Sequence, residues 1–355
     1  MKNLSWFNKG MFLLNLVLIV LTFIAYLLPF LAPKIFPFAS VLTLFMPIVF
    51  LFNGLFFLYW GIQFKKRMIL SGLVLLIGIT FFNKFYKFTA KEVKVSDKEV
   101  QVSDKDFTIM SYNVRLFNVF KWLDRDDIPD TILEFINSQN PDILCIQEFS
   151  NSADIDLKVY PYKYVLMEGD QIKTGQAIFS KFPIIDQGHI VFPHSNNNVV
   201  FADIKKGKDI IRVYNMHLQS IKISPEVGEI SDNIDVINQQ KSKYLFIRIS
   251  KAFKQQQEQA AIFKEHEKKC KYPIIICGDM NNSAFSYVYR NIKGTLKDSF
   301  EEAGKGFGAT YKFKYYPARI DYIFADETME VKQFESFSDF QNSDHFPIMA
   351  KLSME

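Results

Sequence analysis

Cysteine is scarce in the 355-residue chain, and its few copies follow no pairing pattern. Cys145, Cys270 and Cys277 are not joined by a CxxC or a mixed Cys/His spacing. Three thiols in this arrangement argue against a disulfide framework and against a zinc–thiolate site. We expect Cys145 and Cys277, which fall in predicted strands, to act as small buried hydrophobic groups.

Acidic residues are absent from the first 87 positions, which carry eight lysines and arginines. Three uncharged runs lie there, at residues 11–32, 35–64 and 68–83. The first two are long enough to cross a bilayer, and the third is a little short, with lysines that can reach the interface. The later runs argue against a cleaved signal peptide. We therefore predict a membrane anchor over residues 1–87, with transmembrane helices at 11–32, 39–63 and 68–84.

The sidedness of the remaining chain depends on the third run. With three spans, the basic residues near the N-terminus and at 65–67 share one face, and the positive-inside bias makes that face cytoplasmic. The lysines between 84 and 94 favour the opposite orientation. We predict a multi-pass protein of the cell inner membrane whose C-terminal domain is extracytoplasmic.

The rest of the chain lacks a basic excess. The whole chain has 42 basic and 38 acidic residues, which leaves 34 basic against 38 acidic after residue 87. Nonspecific nucleic-acid binding depends on a basic surface, so this balance argues against a nuclease that binds nucleic acid tightly and without sequence preference. The balance is still compatible with a local basic groove. The sequence also contains no glycine-rich phosphate loop and no Ser-His-Asp arrangement.

Residues 88–105 are polar and are predicted to be a linker, and residues 106–355 are predicted to form one α+β domain. Many strands with few helices between them indicate two mixed β-sheets packed face to face, with helices outside. Helices are predicted at 127–139 and 236–268. Strands are predicted at 107–114, 143–148, 162–167, 175–180, 199–204, 210–216, in the run after Pro273, at 320–325 and at 346–352.

One predicted strand ends in an abrupt change of chemistry. The apolar run Ile274-Ile275-Ile276-Cys277 is followed by Gly278-Asp279-Met280-Asn281, as expected where a buried strand meets a turn. Asp279 and Asn281 are two residues apart, so in extended backbone their side chains leave on the same side. A carboxylate beside an amide suits a divalent cation, a water molecule or a phosphate oxygen, although turns favour the same residues.

Other predicted strands also end or begin at polar residues that can serve phosphate or metal chemistry. Each of them alone is commonly a surface or turn residue, but together they interrupt otherwise apolar strands in a regular way. These residues are Asn113, Glu148, His217, Asp321 and the pair Asp344-His345.

Seven short motifs containing these residues occur in order along the chain, and they resemble the endonuclease/exonuclease/phosphatase superfamily. The resemblance covers about residues 106–353 and implies a deoxyribonuclease-I-like, four-layer α/β/β/α sandwich. The motifs are Ser111-Tyr112-Asn113, Ile146-Gln147-Glu148, Gly175 to Lys181, Asn215-Met216-His217-Leu218, Gly278-Asp279-Met280-Asn281, Arg319-Ile320-Asp321-Tyr322-Ile323 and Ser343-Asp344-His345.

The resemblance implies hydrolysis of a phosphoester with Mg²⁺ or Mn²⁺. Glu148 would be the principal metal carboxylate, with Asn113 nearby and Asp344 completing the set, and oxygen ligands of this kind suit both cations. The motifs leave open whether one or two metal ions act.

The resemblance also implies the catalytic roles. Asp279 would orient or deprotonate the attacking water and Asn281 would hold a phosphate oxygen. His345 would contact the scissile phosphate, and His217 would be a second histidine paired with Asp321.

The substrate is not fixed by these motifs, which serve enzymes acting on DNA, lipids and soluble phosphates. A membrane-anchored phosphodiesterase or phosphatase is the leading hypothesis. An extracytoplasmic DNA endonuclease and a sphingomyelinase-like phospholipid phosphodiesterase are the alternatives, and a non-catalytic binding module is the hypothesis from another class. No protein partner is implied.

Six further residues are expected to lie outside these roles. Arg319 is expected to form a structural salt bridge, and Tyr112 and Tyr322 are expected to pack. The remaining three, expected at the surface or in loops, are His189, His194 and His266.

Overall fold

The structure is a computed structural model, and it describes residues 4–89, 104–151, 155, 157–169, 174–221, 239–314 and 316–354. Most of the predicted linker at 88–105, and the start of the helix predicted at 236–268, lie outside these residues. The chain forms two compact units. One contains Met1–Phe85, Ile221–Gln257 and Ser283–Arg290, and the other contains Tyr86–Ser220, Glu258–Asn282 and Asn291–Glu355.

The N-terminal unit is helical throughout its apolar runs. Two helical stretches, Trp6–Phe30 and Pro37–Ile62, are long and apolar enough to cross a membrane. The third run forms a helix at Met68–Ile77 and a short one at Ile79–Phe82, separated by Gly78. A ten-residue helix is about 15 Å long, so this third element is shorter than the span predicted at 68–84.

The helical unit buries several polar side chains beside an apolar cluster that includes Met46 and Phe50, and it exposes many large apolar side chains. Asn15 donates a hydrogen bond to the Ser71 hydroxyl (2.8 Å) and accepts one from the Trp60 indole (3.1 Å). Asn53 donates to the Thr22 hydroxyl at 2.8 Å. Large apolar side chains on the same helices are exposed instead, as they are along much of Trp6–Leu27. An apolar surface around buried, hydrogen-bonded polar side chains differs from the pattern in a water-soluble helix bundle.

The second unit contains two six-stranded mixed sheets. The first has the strand order β11-β12-β1-β2-β4-β3 and the second has the order β5-β6-β7-β8-β10-β9. The strands are β1 Asp106–Asn113, β2 Ile143–Phe149, β3 Tyr162–Glu168, β4 Thr174–Ser180, β5 Ile184–Val191, β6 Asn198–Lys206, β7 Asp209–His217, β8 Ile274–Asp279, β9 Lys297–Asp298, β10 Asp321–Ala325, β11 Met329–Ser336 and β12 Ile348–Met354.

The main core lies between the two sheets. Inward side chains of the first sheet, such as Ile109 and Ile143, meet those of the second, such as Val213 and Ile275. Burying each of these side chains stabilises the fold by roughly 1.5–3 kcal/mol. The pairing of sheets confirms the predicted sandwich.

Helices cover the outer faces of both sheets. Ile128, Ile132 and Ile136 recur every four residues along the helix Ile128–Gln139 and pack on the outer side of the first sheet. On the second sheet, Phe263 of the helix Gln239–Glu267 lies edge-on to Tyr214, with ring centroids 5.1 Å apart. The predicted four-layer α/β/β/α arrangement is therefore confirmed. Shorter helices occupy Tyr287–Lys293 and Ser299–Ala303, and Arg115–Asn118 forms a turn with positive φ values.

Three strands were not predicted from the sequence: β5, β9 and β11. The first and last carry register shifts, between Ile184 and Asp186 and between Val331 and Gln333, which interrupt the apolar/polar alternation. The strand β9 has only two residues. His189 is exposed on β5 and His194 lies in an exposed turn, as predicted, whereas His266 is half-buried on the helix Gln239–Glu267.

Polar side chains also join the two sheets across the core. Asn215 of β7 donates to the carbonyl oxygens of Ile146 and Ala177 in the first sheet, at 2.8 and 3.1 Å. Gln147 of β2 donates back to the Asn215 side-chain oxygen at 2.6 Å. These three hydrogen bonds across the core fix the sheets relative to each other close to the strand ends that carry the candidate site.

Candidate active site

The strand order of the second sheet places three of the predicted residues side by side. The parallel pair β7–β8 sets His217 opposite Asp279. The antiparallel pair β8–β10 sets Asp321 opposite Asp279 on the other side. Asp279 is therefore the central residue of a row across the end of this sheet.

The first sheet supplies the remaining groups at its own facing end. Asn113 ends β1 opposite Gln147 of β2, so Glu148 is the next residue along. Asp344 and His345 come just before β12, which runs antiparallel to β1, and the Ser343 hydroxyl donates to the Asn113 carbonyl oxygen at 2.9 Å. Residues that are distant along the chain thus meet at one end of the sandwich.

Local backbone geometry aims two of the side chains. Glu148 has a φ of 51° and lies in a register shift between β2 and β4, so its side chain leaves the regular pleat. Gly278 has a φ of 130°, and a Cβ there would lie 2.0 Å from the Met216 carbonyl oxygen. Only glycine fits this close approach of β7 to β8 immediately before Asp279.

The side chains converge within short distances of one another. The Asn113 amide nitrogen lies 3.2 Å from Asp279 Oδ2 and 3.4 Å from Glu148 Oε1. His217 Nε2 lies 3.7 Å from Asp279 Oδ2 and 3.8 Å from Glu148 Oε1. His345 Nε2 lies 3.6 Å from Asp279 Oδ2.

Asp321 is paired with His345, which corrects the predicted pairing with His217. His345 Nδ1 lies 3.0 and 3.2 Å from the two Asp321 oxygens, which is hydrogen-bond distance for a ring N–H donor. Burial alone would lower the pKa of His345, but the carboxylates of Asp321, Asp279 and Asp344 raise it to about 10. His345 is therefore an imidazolium at neutral pH.

The other titratable groups respond mainly to burial. The pKa of Asp279 is raised to about 6, chiefly by burial and also by the charge of Asp321, against the opposing effects of His345 and His217. Burial also raises the pKa of Glu148, with Asp344 adding repulsion. Burial lowers the pKa of His217 more than the Asp279 charge raises it, so this imidazole is neutral at pH 7.

A hard divalent cation fits the chemistry of the Glu148 side of the cluster. Glu148 and Asp344 repel each other and offer oxygen ligands, which Mg²⁺ and Mn²⁺ prefer. His217 Nε2 is buried and has no hydrogen-bond partner among the described residues. Such an orphaned polar atom beside two carboxylates is expected where an ion, its water or a substrate oxygen completes the site.

A second group of potential ligands lies beside it. Asp279, Asp321 and His345 can offer ligand atoms within 4.8 Å of one another. His345 Nδ1, however, is already held by Asp321 at 3.0 Å. We propose that this second group is acid–base machinery and that the Glu148 side binds the metal ion.

Two asparagines make contacts that differ from their predicted roles. The Asn281 amide donates to Asp279 Oδ2 and to the Leu218 carbonyl oxygen, both at 3.1 Å, and its backbone N–H donates to Asp279 Oδ1. Asn113 presents its amide nitrogen to the carboxylates, because its oxygen accepts from the Arg115 N–H at 3.1 Å. Both residues thus position carboxylates. Their roles as a phosphate ligand and a metal ligand stay predictions.

Two further residues at the site were missed from the sequence. The Tyr311 ring lies edge-on to His345 with a centroid distance of 5.0 Å, and burial raises its pKa to about 12, so it remains a hydroxyl donor. Arg115 Nη1 lies 3.4 Å from Asp344 Oδ2. Neither residue ends a strand, so the strand-end pattern gave no signal for them.

The residues predicted to lie outside the site do so. Arg319 forms a buried salt bridge with Asp298 at 2.7 Å, as expected for a structural role. Tyr112 and Tyr322 are buried. His266 faces the Tyr214 hydroxyl at 3.1 Å on the outer side of the second sheet.

A family model described as the endonuclease/exonuclease/phosphatase family matches residues 110–345, which include every residue of the cluster. The chain belongs to this family. Its members are phosphoester hydrolases, and the buried carboxylate–histidine cluster suits that chemistry. A second family model, described as a domain of unknown function, matches residues 8–85. No curated protein matches the chain.

Solved structures share the fold of the second unit. An endonuclease/exonuclease/phosphatase from Bacteroides vulgatus is 18% identical with a TM-score of 0.53, covering 70% of this chain and 99% of its own. D. rerio TDP2 complexed with a single-strand DNA product is 17% identical, with a TM-score of 0.52 and coverages of 70% and 99%. A Bacteroides thetaiotaomicron mannosyl-6-phosphatase is 19% identical, with a TM-score of 0.50 and coverages of 70% and 100%. At these identities the likeness shows the fold alone.

The His345–Asp321 pair predicts a pH dependence of stability in protein kept metal-free with EDTA. The pKa of His345 is raised in the folded state, so its stabilisation is complete below the unfolded value of about 6.5. It is lost as the pH rises towards about 10. Urea unfolding should show a fall in the free energy of unfolding across this interval.

Asp321→Asn should flatten that fall, because the carboxylate that holds the imidazolium is removed. His194→Gln, at an exposed turn, is the matched control and should leave the pH profile unchanged. An unaltered profile in Asp321→Asn would show that the pair does not carry the charge assigned to it.

Proposed function

We propose that this protein is a membrane-anchored phosphoester hydrolase that uses Mg²⁺ or Mn²⁺. The observation that carries the proposal is the convergence of Glu148, His217, Asp279 and His345 at one end of the sandwich, with closest approaches of 3.6–3.8 Å. Membership of the endonuclease/exonuclease/phosphatase family supports it.

Glu148 and Asp344 are the proposed metal carboxylates, and Asn113 completes the set if its amide turns its oxygen towards the ion. When bound, the ion neutralises phosphate charge and supports the developing charge on phosphorus-bound oxygens. Asn113 also links Glu148 to Asp279 through its amide nitrogen, so the metal side and the water-activating side are held in one arrangement.

Asp279 is the proposed base that orients the attacking water. Its pKa of about 6 leaves it ionised at neutral pH while making it a better proton acceptor than an exposed aspartate. Asn281 holds both of its oxygens, which fixes the direction from which the carboxylate accepts a proton.

The two histidines have separate proposed roles because their protonation states differ. His345 is charged, and its Nε2–H can donate to a phosphate oxygen while Asp321 holds Nδ1. His217 is neutral, and its unpartnered Nε2 faces the gap between Glu148 and Asp279. Asp321 acts as a positioning residue in this scheme.

The helical N-terminal unit supports membrane anchoring through the distribution of its polar groups. Only 28% and 33% of the residues are buried in an 18-residue window of each long apolar stretch, so most of these side chains are not in the interior. Asn15, Asn53 and Thr22 are inside and hydrogen-bonded. Helices in lipid pack in this way, since polar side chains bind between helices and apolar ones meet the acyl chains.

Purified full-length protein should hydrolyse bis-p-nitrophenyl phosphate with Mg²⁺ or Mn²⁺, and EDTA should stop the reaction. Glu148→Gln keeps the shape of the side chain but removes the charge, so we expect a loss of at least about 100-fold in kcat/KM. Asp279→Ala should lose a similar factor. Glu302→Gln, an exposed matched control, should keep full activity. Equal activity in Glu148→Gln and Glu302→Gln would overturn the assignment.

For sidedness, we propose three spans and an extracytoplasmic catalytic domain. The helices Met68–Ile77 and Ile79–Phe82 together cover about 22 Å, and the basic residues at both ends can reach the interfaces by snorkelling. Proteinase K added outside spheroplasts should then digest a C-terminal epitope tag. Digestion only after the membrane is broken would place the domain in the cytoplasm and leave two spans.

The proposed substrates are a phospholipid or a small phosphate ester held near the membrane. Anchoring confines the active site to a surface layer and raises its effective concentration towards such substrates. DNA is the second candidate, favoured by the D. rerio TDP2 neighbour with its single-strand DNA product. A steep salt dependence of activity on DNA would favour the second candidate.

A further inference from the structure

A small cavity adjoins the candidate active site on the side of Asp344. It has a volume of about 140 Å³ and is lined by side chains from three separate segments. We call it the Arg115 pocket, after its most central cation. Its lining includes Arg115, Asn118, Trp122, Lys312, Asn342 and Asp344.

The pocket shares residues with the catalytic cluster. Asp344 lines the pocket and precedes His345 directly, and Arg115 lies two residues after Asn113. The Lys312 backbone N–H donates to the Asp344 carbonyl oxygen at 2.8 Å, which holds Lys312 at the same edge. A group bound in the pocket would therefore lie beside the phosphoester at the active site, where one substrate molecule can supply both.

The charges of the pocket favour an anion. Arg115 and Lys312 contribute two positive charges and Asp344 contributes one negative charge. The Arg115 guanidinium lies 3.4 Å from Asp344 and is stacked on the Trp122 ring at 4.4 Å, so its position is fixed from two sides. A guanidinium held in this way keeps donors for a phosphate and gives up little rotamer entropy on binding.

The loop that forms the pocket has an unusual backbone conformation that is held by hydrogen bonds. Residues Arg115 to Asn118 all have positive φ values, between 45° and 62°, which is rare for side-chain-bearing residues. Asn118 closes the loop, because its amide donates to the Leu123 and Arg125 carbonyl oxygens and its oxygen accepts from the Leu123 N–H.

The size of the cavity suits one phosphate group. At about 140 Å³ the cavity has room for a group as small as a phosphate, which has five heavy atoms. Trp122 is 40% exposed, and its ring centroid lies 5.2 Å from that of Phe120, which is 47% exposed. Two exposed aromatic rings therefore lie beside the cations.

We propose that the Arg115 pocket is a second anion subsite, which binds a further phosphate of the substrate beside the phosphoester that is hydrolysed. This inference rests on the proposed phosphoester hydrolase function. A second phosphate can come from a nucleotide or from a phosphorylated lipid headgroup, and both present the same chemistry to Arg115 and Lys312.

Two matched substrate pairs test the subsite with full-length protein. One pair is thymidine 5′-(p-nitrophenyl phosphate) with and without a 3′-phosphate, and the other is vesicles of phosphatidylinositol with and without a 4-phosphate. In at least one pair, the added phosphate should raise kcat/KM about tenfold, and the responding pair identifies the source. No advantage in either pair would overturn the subsite.

Variants locate the effect through the ratio of kcat/KM within the responding pair, which cancels changes common to both substrates. Lys312→Ala should reduce the advantage to about threefold or less, because one of the two cations is lost. Lys305→Ala, an exposed lysine outside the pocket, should keep it. An advantage that survives Lys312→Ala would place the second phosphate elsewhere.

Binding can also be measured without turnover, since Trp122 lines the pocket and is one of three tryptophans in the chain. Thymidine 3′,5′-bisphosphate should change the tryptophan emission at a concentration at least about tenfold lower than thymidine 5′-monophosphate does. The change should vanish in Trp122→Phe. This readout separates the two ideas: binding without hydrolysis would reject the proposed function alone, and hydrolysis of bis-p-nitrophenyl phosphate with no bisphosphate preference would reject the subsite alone.

Discussion

Burial of several carboxylates at one end of a β-sandwich is the constraint on which the rest of the site depends. Asp279 and Asp321 are almost fully buried, and Glu148 and Asp344 lie beside them. Unpaired buried charges are strongly unfavourable, so each carboxylate needs a proton, a hydrogen-bond donor or a cation. The structure supplies an imidazolium for Asp321 and an asparagine for Asp279. On the other side, Glu148 accepts a hydrogen bond from Asn113 and Asp344 pairs with Arg115, both at 3.4 Å. The repulsion between Glu148 and Asp344 that remains is the physical reason for proposing a divalent cation there.

The row His217–Asp279–Asp321 could be foreseen only in part from the sequence. The apolar run before Gly278-Asp279 identified Asp279, because a buried strand that ends in a carboxylate is conspicuous. The partner of Asp321 was predicted wrongly, since it depends on where β10 pairs with β8 and on where the loop before β12 returns. Neither the strand pairing nor the return of the loop can be read from a local sequence pattern, because both are set by tertiary register.

Polar residues within strands have two different roles, at the site or in the core, which the sequence alone did not distinguish. Glu148 and Asn215 both interrupt apolar strands, but Glu148 is aimed into the site by a register shift, whereas Asn215 binds two carbonyl groups of the opposite sheet. The missed strands β5 and β11 have a related cause, since their register shifts break the alternation that marks a half-buried strand. The apolar runs before residue 84 were simpler, and their helical nature followed from length and composition.

The most direct test of the central claim is calorimetric titration of full-length protein with Mn²⁺, because it asks where the cation binds without requiring a substrate. If Glu148 and Asp344 are the metal carboxylates, binding should be lost in Glu148→Gln and in Asp344→Asn and kept in Asp321→Asn. Unchanged binding in Glu148→Gln, with loss in Asp321→Asn, would place the ion among Asp279, Asp321 and His345 and contradict this account of the site.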